Sequence, residues 1–356
     1  MVRVMFTCKE RKQKYKEVQK VVQKYTNDVY TQFNVKNVLG RGFQGTVYKA
    51  SHPKTGAIVI KRTTVTESDA RRRNLKSRRA LRKPVFIEFA AGEMCAQLVL
   101  NKICPNVTLT YHHEIIKHCN KVENFGREKY CSLQYMEYIN YNTFEEFAQY
   151  RHREGLWYNA IFQILAGLYA LKLHFNLIHN DFHGRNLLVH KIEPGGYWVY
   201  IIDGKRYYVP NMGYIFLVSD FGLSWIPGKM YPGDYVRKRD QVYMLMDSND
   251  TKLNKNTRLT WDLMKLKRLT IDPLLKVSKE LPDHFKFEFM EIFRDLIDNS
   301  VNVSTLGDII RELYGSQIIR GKQCKEFPNY CYNKREFVCG ERIETYNFNK
   351  KVSQVI

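Results

Sequence analysis

A chain of 356 residues with 44% hydrophobic and 13% aromatic side chains can bury a large core, which excludes a disordered or fibrous protein. Its 57 Lys and Arg against 36 Asp and Glu give a formal charge of +21, a field that draws acidic peptides, nucleic acid or anionic surfaces before any specific contact forms. The opening residues show no apolar core with a small-residue cleavage site, and no run approaches the roughly 18 apolar residues of a membrane span. A soluble, non-secreted, cytoplasmic protein without a membrane partner is therefore expected.

The eight cysteines are scattered without a CxxC pair, so reduced thiols are expected, and no metal role for Cys324, Cys331 and Cys339. Residues 1–30 are rich in Lys and Gln, and Val21, Val22 and Tyr25 are helically spaced, which predicts a short amphipathic helix. From Phe33 to Arg62, β-branched residues punctuated by glycine and an HPKTG turn predict consecutive antiparallel strands. Helical spacing returns over Phe86 to Leu100, and strand-like runs follow at VTLTYHHEII and YCSLQYMEYI. The remainder reads as mainly helical: TFEEFAQYRHREG, LWYNAIFQILAGLYALKLHF, Trp261 to Leu269 and Phe285 to Ile297. A sheet-rich part followed by a larger helical one, joined near residue 138, gives an α+β class.

Leu39-Gly-Arg-Gly-Phe-Gln-Gly-Thr-Val47 is a GxGxxGxV pattern in which Gly40, Gly42 and Gly45 let backbone approach phosphates. A dinucleotide fold would feed a helix after this loop; here it feeds a strand, which favours a nucleotide-covering hairpin. Sixteen residues after Gly45, Ile58-Val-Ile-Lys61 ends an apolar run with an inward lysine that needs an anionic partner, which phosphates supply. A carboxylate on the following helix would hold it; Glu93 is assigned from its offset to Pro105, with Glu88 as the alternative. In Leu177-Ile-His-Asn-Asp-Phe-His-Gly-Arg-Asn-Leu-Leu188, Asp181 and Asn186 stand five apart, spaced to aim a carboxylate at a hydroxyl nucleophile and an amide oxygen at Mg²⁺. His179 is expected to support this loop from the core. Asp220 in Leu217-Val-Ser-Asp-Phe-Gly222 ends an apolar strand, 34 residues after Asn186, and can bind the metal that bridges the phosphates.

GRGFQGTV, IVIK, HNDFHGRN and SDFG together resemble the protein-kinase signature set, over roughly residues 33–315. The resemblance implies a bilobal protein-kinase fold, with a small antiparallel β-rich N-lobe carrying one main helix and a larger, mainly helical C-lobe. The divisions would be an N-terminal helical extension at 1–32, the N-lobe at 33–138, the C-lobe at 139–315 and a tail at 316–356. It implies ATP and Mg²⁺ as cofactors and transfer of the γ-phosphate to a Ser or Thr of a protein substrate, viral or host, with Asp181 as base. Leu39, Val47 and Val59 would line the nucleotide, Met136 resembles the gatekeeper, and Glu137 to Ile139 form the hinge whose backbone binds adenine. Asp262 looks like the helix aspartate that braces the catalytic loop. The piece YWVYIIDGKRYYVPNMGYIFLV is predicted to be a hairpin turning at Asp203-Gly204. A similar insert occurs in haspin-like kinases and in kinase-like proteins of large cytoplasmic DNA viruses, the latter group being the nearest match.

The chain departs from the pattern in four places. Asn180 replaces the arginine of the His-Arg-Asp triplet, which argues against switching by loop phosphorylation. SWIPGKMYPGDYVRKRD stands where Ala-Pro-Glu is expected, Val59 takes the place of alanine, and His183 that of the lysine typical of Ser/Thr kinases, with Arg185 at the tyrosine-kinase offset. Lys61, Asp181, Asn186 and Asp220 are all retained, favouring an active enzyme over a pseudokinase scaffold. The catalytic-loop sequence also resembles aminoglycoside and choline kinases, which makes a small-molecule phosphotransferase the second alternative. The basic run from Arg71 to Lys83 suits acidic substrate, nucleic acid or an import receptor; lacking interleaved aromatics, it predicts no specific nucleic-acid recognition. Oligomeric state is not legible.

Overall fold

Turn chemistry and strand alternation set the first half of the chain. The computed structural model describes residues 6–24, 30–42, 45–72, 74–117, 130–140, 142–150, 152–231, 262–263, 265–266, 310 and 340–356. Strands β1 (Asn34–Gly42), β2 (Gly45–His52) and β3 (Gly56–Val65) form the expected meander, and β4 (Thr110–Lys117) and β5 (Tyr130–Glu137) complete a five-stranded sheet. The order is β1-β2-β3-β5-β4, antiparallel throughout. Val47 lies opposite Lys61, and Val59 opposite Met136, so these four side chains share one face. Ala50, Ile58, Ile60 and Tyr135 alternate onto the other face and enter the main apolar core.

Three helices back or flank this sheet: α1 (Cys8–Lys24), the single turn α2 (Glu67–Ala70) and α3 (Pro84–Leu100). The expected amphipathic first helix is present. It packs on α3 and β4 through buried Val18, Val21 and Val22. Its Arg11 is almost fully buried, and the guanidinium donates to Pro105 O at 2.6 Å, to Val107 O at 2.6 Å and to both carboxylate oxygens of Glu137 at the end of β5. Glu137 Oε1 also accepts the Leu109 amide at 2.6 Å. A charge pair this deep holds because each of its polar atoms has a partner.

The expected helix over residues 143–155 is instead one turn, α4 (Phe144–Phe147), followed by a break. A Thr143/Glu146 capping box starts it, but the His152 ring stacks on Phe147 and takes the Phe147 carbonyl at 2.7 Å, the group a continuing helix would pair four residues on. Helix α5 (Glu154–Phe175) then runs through the core and stops at Asn176, whose φ of 53° is a left-handed cap. Strands β6 (Leu187–Lys191) and β9 (Tyr214–Val218) pair as a two-stranded ladder. Between them β7 (Tyr197–Ile202) and β8 (Lys205–Pro210) form the predicted hairpin, turning at Asp203 and Gly204 with φ of 50° and 76°.

Residues 340–356 pack onto this body. β10 (Arg342–Asn347) runs parallel to β7 as the third strand of a β10-β7-β8 sheet, and Tyr346 and Phe348 are fully buried. A buried amide network ties α5 to the strands: Asn106 Nδ2 donates to Gln163 Oε1 and to Phe216 O, each at 3.0 Å, while Tyr200 donates to Asn106 Oδ1 at 3.0 Å. Cys131 is disulfide-bonded, against the expectation of reduced thiols throughout; Cys8, Cys95 and Cys104 are free and buried, so its partner lies outside the described residues. No helix among the described residues is long and apolar enough to cross a membrane. Of the helices expected at Trp261–Leu269 and Phe285–Ile297, helical residues 262–263 and 265–266 are described; the rest, with Cys324, Cys331 and Cys339, lie outside the described residues.

Arg11→Met leaves the Glu137 carboxylate buried without its counter-charge and should cost about 3–5 kcal/mol of unfolding free energy, whereas Arg11→Met with Glu137→Leu should recover most of that loss. Chemical denaturation of the two variants measures the difference; equal losses would show that the pair contributes only packing.

Candidate functional site

Lys61 leaves β3 on the face shared with Val47, Val59 and Met136, and its ammonium is buried. Nζ lies 2.7 Å from Glu88 Oε1 and 3.0 Å from Asp220 Oδ1. Burial works against the charge, but Asp220 and Glu88 outweigh it and hold Lys61 protonated, well above an ordinary lysine. Burial pushes the Glu88 carboxyl up and Lys61 opposes it, so the proton sits on the lysine.

The lysine's partner is thus Glu88 and not Glu93. Glu93 pairs instead with Lys76 on the surface. The two glutamates stand five positions apart on the helix, about 140° around α3, so they cannot share a face. The rotation is fixed by Gly92, where a Cβ would stand 2.7 Å from Thr110 Oγ1; that face meets β4, and Glu88, one turn earlier, lies on it. The glycine one turn after Glu88, in a helix otherwise rich in apolar residues, is the legible signal for the buried side, which an offset to Pro105 does not carry.

The glycine loop joins β1 to β2. A Cβ would meet nothing within 4 Å at Gly40 or Gly42, but at Gly45, with φ of 142°, it would stand 2.1 Å from Arg62 O. Gly45 is therefore required by the fit of β2 against β3. Leu39 is 48% exposed, while Val59 is buried and Val47 half-buried. Met136 and Ile139 are half-buried, and the Glu137 side chain turns away to Arg11, leaving backbone as that residue's means of meeting a ligand.

The segment 178–186 is pinned from three sides. Ile178 and Trp225 exchange backbone hydrogen bonds of 2.9 Å, which sets the loop beside the residues after Asp220. The buried Asp262 carboxylate accepts the His179 amide at 2.8 Å and the Asn180 amide at 2.7 Å, as the resemblance implied; burial pushes its carboxyl up to about 7 against the pull of those two donors. The buried His179 ring spans both halves of the site: Nδ1 accepts the Asp181 amide at 3.3 Å and Nε2 donates to Ser219 O at 2.8 Å. Burial lowers its pKa, in keeping with this neutral tautomer. Asn180 adopts φ of 64° and donates Nδ2 to Leu223 O at 3.0 Å, occupying the place where the resemblance expects arginine.

The β6–β9 ladder, with Leu187 opposite Val218, brings Asn186 and Asp220 to the same end, and Ser219 N donates to Asn186 O at 2.9 Å. Asn186 Nδ2 donates to Asp181 O at 2.9 Å and Asp181 Oδ2 at 3.1 Å, which turns its amide oxygen elsewhere. Burial would raise the Asp181 carboxyl, but hydrogen bonding and charge from His183, with Lys265 and His179, hold it at about 2. Lys265 Nζ stands 3.6 Å from Asp181 Oδ1, a neighbour that no spacing in the sequence reveals. Arg185 is exposed and paired with Glu145 at 2.6 Å. The donors Asn186 and Asp220 are hard oxygens suited to a Mg²⁺ that keeps water and phosphate oxygens as its other ligands. No cluster of three or more His, Cys, Asp or Glu ligands occurs among the described residues.

With this geometry in place, similarity to known proteins adds a relationship. The chain is 27% identical over 200 residues to "Putative serine/threonine-protein kinase 019R" of Frog virus 3, covering 52% of this chain and 23% of that protein. It is 27% identical over 240 residues to "Probable serine/threonine-protein kinase 380R" of Invertebrate iridescent virus 6, covering 63% and 42%. A third relative, "Uncharacterized protein R403" of Acanthamoeba polyphaga mimivirus, is 38% identical over 95 residues, covering 25% and 13%. The relationship is kinase-like. No protein-family model matches the chain. The chain spans less than half the length of each of these relatives.

Glu88→Gln should cost about 1.5–3 kcal/mol, the range for a hydrogen bond to a buried charge. Glu93→Gln, at a half-exposed pair, should cost less than about 1 kcal/mol. Thermal unfolding ranks the two, and the reverse order would overturn the assignment of Glu88. Asp262→Asn presents an NH₂ group to two backbone donors and should cost about 1–3 kcal/mol, read in the same measurement.

Proposed function

We propose that this chain is a bilobal Ser/Thr protein kinase that transfers the γ-phosphate of Mg-ATP to a protein hydroxyl, with residues 33–138 and 139–315 as its two lobes, 1–32 an N-terminal extension and 316–356 a tail. The observation that carries the reading is the Lys61 ammonium held between Glu88 and Asp220 at 2.7 and 3.0 Å, while Asn186 links the Asp220 strand end to Asp181. The kinase names of two viral relatives point the same way.

Mg-ATP, when bound, supplies the transferable phosphoryl group and a metal that offsets its charge. Under this reading Lys61 binds phosphate oxygens, and Glu88 keeps that ammonium in place. Asp220 and the Asn186 amide oxygen hold the metal. The glycine loop covers the phosphates, with Leu39, Val47, Val59 and Met136 around the base and the backbone of Glu137 to Ile139 at its polar edge. Asp181 orients the acceptor hydroxyl and takes its proton; ionised across the neutral range, it is ready to accept. Positioning and charge, rather than covalent work, carry such a transfer.

The test is reaction of wild type and Asp181→Asn with Mg-ATP and a protein acceptor, followed by phosphosite mapping. Phosphoserine or phosphothreonine is expected with wild type, and a loss of about 10²–10⁴-fold with Asp181→Asn at an unchanged melting temperature. Wild type that binds Mg-ATP yet labels no polypeptide overturns the reading; transfer to an amino alcohol alone would assign the small-molecule alternative.

A further inference from the structure

Phosphoryl transfer brings two anions together, because the carboxylate that orients the hydroxyl faces the phosphoryl group under attack. A fixed cation beside that carboxylate relieves the repulsion and locks its direction. Ser/Thr kinases that this chain resembles place a lysine two residues after the base, and this chain has His183 there. The groups facing Asp181 are His183 Nε2 at 3.5 Å from Oδ2, Asn186 Nδ2 at 3.1 Å from Oδ2, the His179 ring behind the backbone, and Lys265 Nζ at 3.6 Å from Oδ1. Lys61 is committed to Glu88 and Asp220. Lys265 is thus the one permanently charged cation at Asp181 among the described residues.

Its placement is fixed from both ends. Three residues before it, Asp262 accepts the His179 and Asn180 amides, and Lys265 Nζ donates to Asn180 O at 3.0 Å. Residues three apart share a helix face, so one turn both shapes the loop and delivers an ammonium to its carboxylate. The side chain is 12% exposed, which keeps the charge from being screened away.

We propose that Lys265 is a positioning residue for phosphoryl transfer, supplying from a distant helical turn the cation that the loop around Asp181 lacks. The proposal rests on the protein-kinase reading. Its competitor is a purely structural role, in which Lys265 serves only as a donor to Asn180 O.

Lys265→Gln keeps a donor and removes the charge; Lys265→Arg keeps both. With Mg-ATP and a protein acceptor, Lys265→Gln should lower kcat roughly 10²-fold, the scale of removing one fixed electrostatic group. Its KM for acceptor, its Mg-ATP Kd by calorimetry and its melting temperature should stay near wild type. Lys265→Arg should recover most of kcat. A Lys265→Gln kcat within about twofold of wild type, or an arginine variant as slow as the glutamine one, would each overturn the proposal. If Asp181→Asn is inactive while Lys265→Gln is not, only this inference fails; if wild type transfers nothing, the kinase reading fails first and takes the inference with it.

Discussion

A buried ammonium shared by two carboxylates from remote parts of the chain is the constraint on which the rest of the molecule depends. Lys61 comes from β3, Glu88 from α3 and Asp220 from the end of β9. An unpaired charge at that depth would cost several kcal/mol, so the sheet, the helix and the two-stranded ladder must all take their places together. The five-stranded sheet sets the lysine's height, and the close approach of Gly92 to Thr110 sets the rotation of α3. The β6–β9 register sets the reach of Asp220. Asp220 itself takes a φ of 59°, a left-handed backbone that the pairing and the flanking ladder hold in place.

A second buried pair works on the opposite side of the sheet. Arg11 from α1 joins Glu137 to the carbonyls of Pro105 and Val107, so the first helix, the turn after α3 and the end of β5 behave as one block. Because α1 also packs on α3, the helix that carries Glu88 is held from both sides. Asn180 fits this picture: its side-chain amide is bonded to the Leu223 carbonyl, and its loop is shaped by Asp262.

Much of this was legible in the sequence, and the failures have physical causes. Strands β1 to β5, helix α3 and the Asp203-Gly204 hairpin follow from alternation and turn chemistry, which are local. Lys61, Asp181, Asn186 and Asp220 could be named because their spacing along the chain mirrors loop geometry. The choice between Glu88 and Glu93 turned on helix rotation, which a glycine signalled but a residue count did not. The break after α4 came from a histidine competing for a backbone carbonyl, invisible to periodicity. Arg11 and Lys265 act across 126 and 84 positions to Glu137 and Asp181, and nothing in their neighbourhoods marks them as different from the many other cations of a strongly basic chain.

The parallel pairing of β10 with β7 has a consequence for how the molecule is assembled. Arg342 meets Tyr197, 145 positions earlier, so this pairing is among the longest-range in the chain and carries a loop-closure cost that local hairpins do not. Until it forms, β7 presents an open edge of unpaired amides and carbonyls bearing Trp198 and Tyr200, the kind of surface to which a second chain adds. Once docked, β10 covers that edge, so the parallel pairing also acts as a safeguard against edge-to-edge association of the folded molecule.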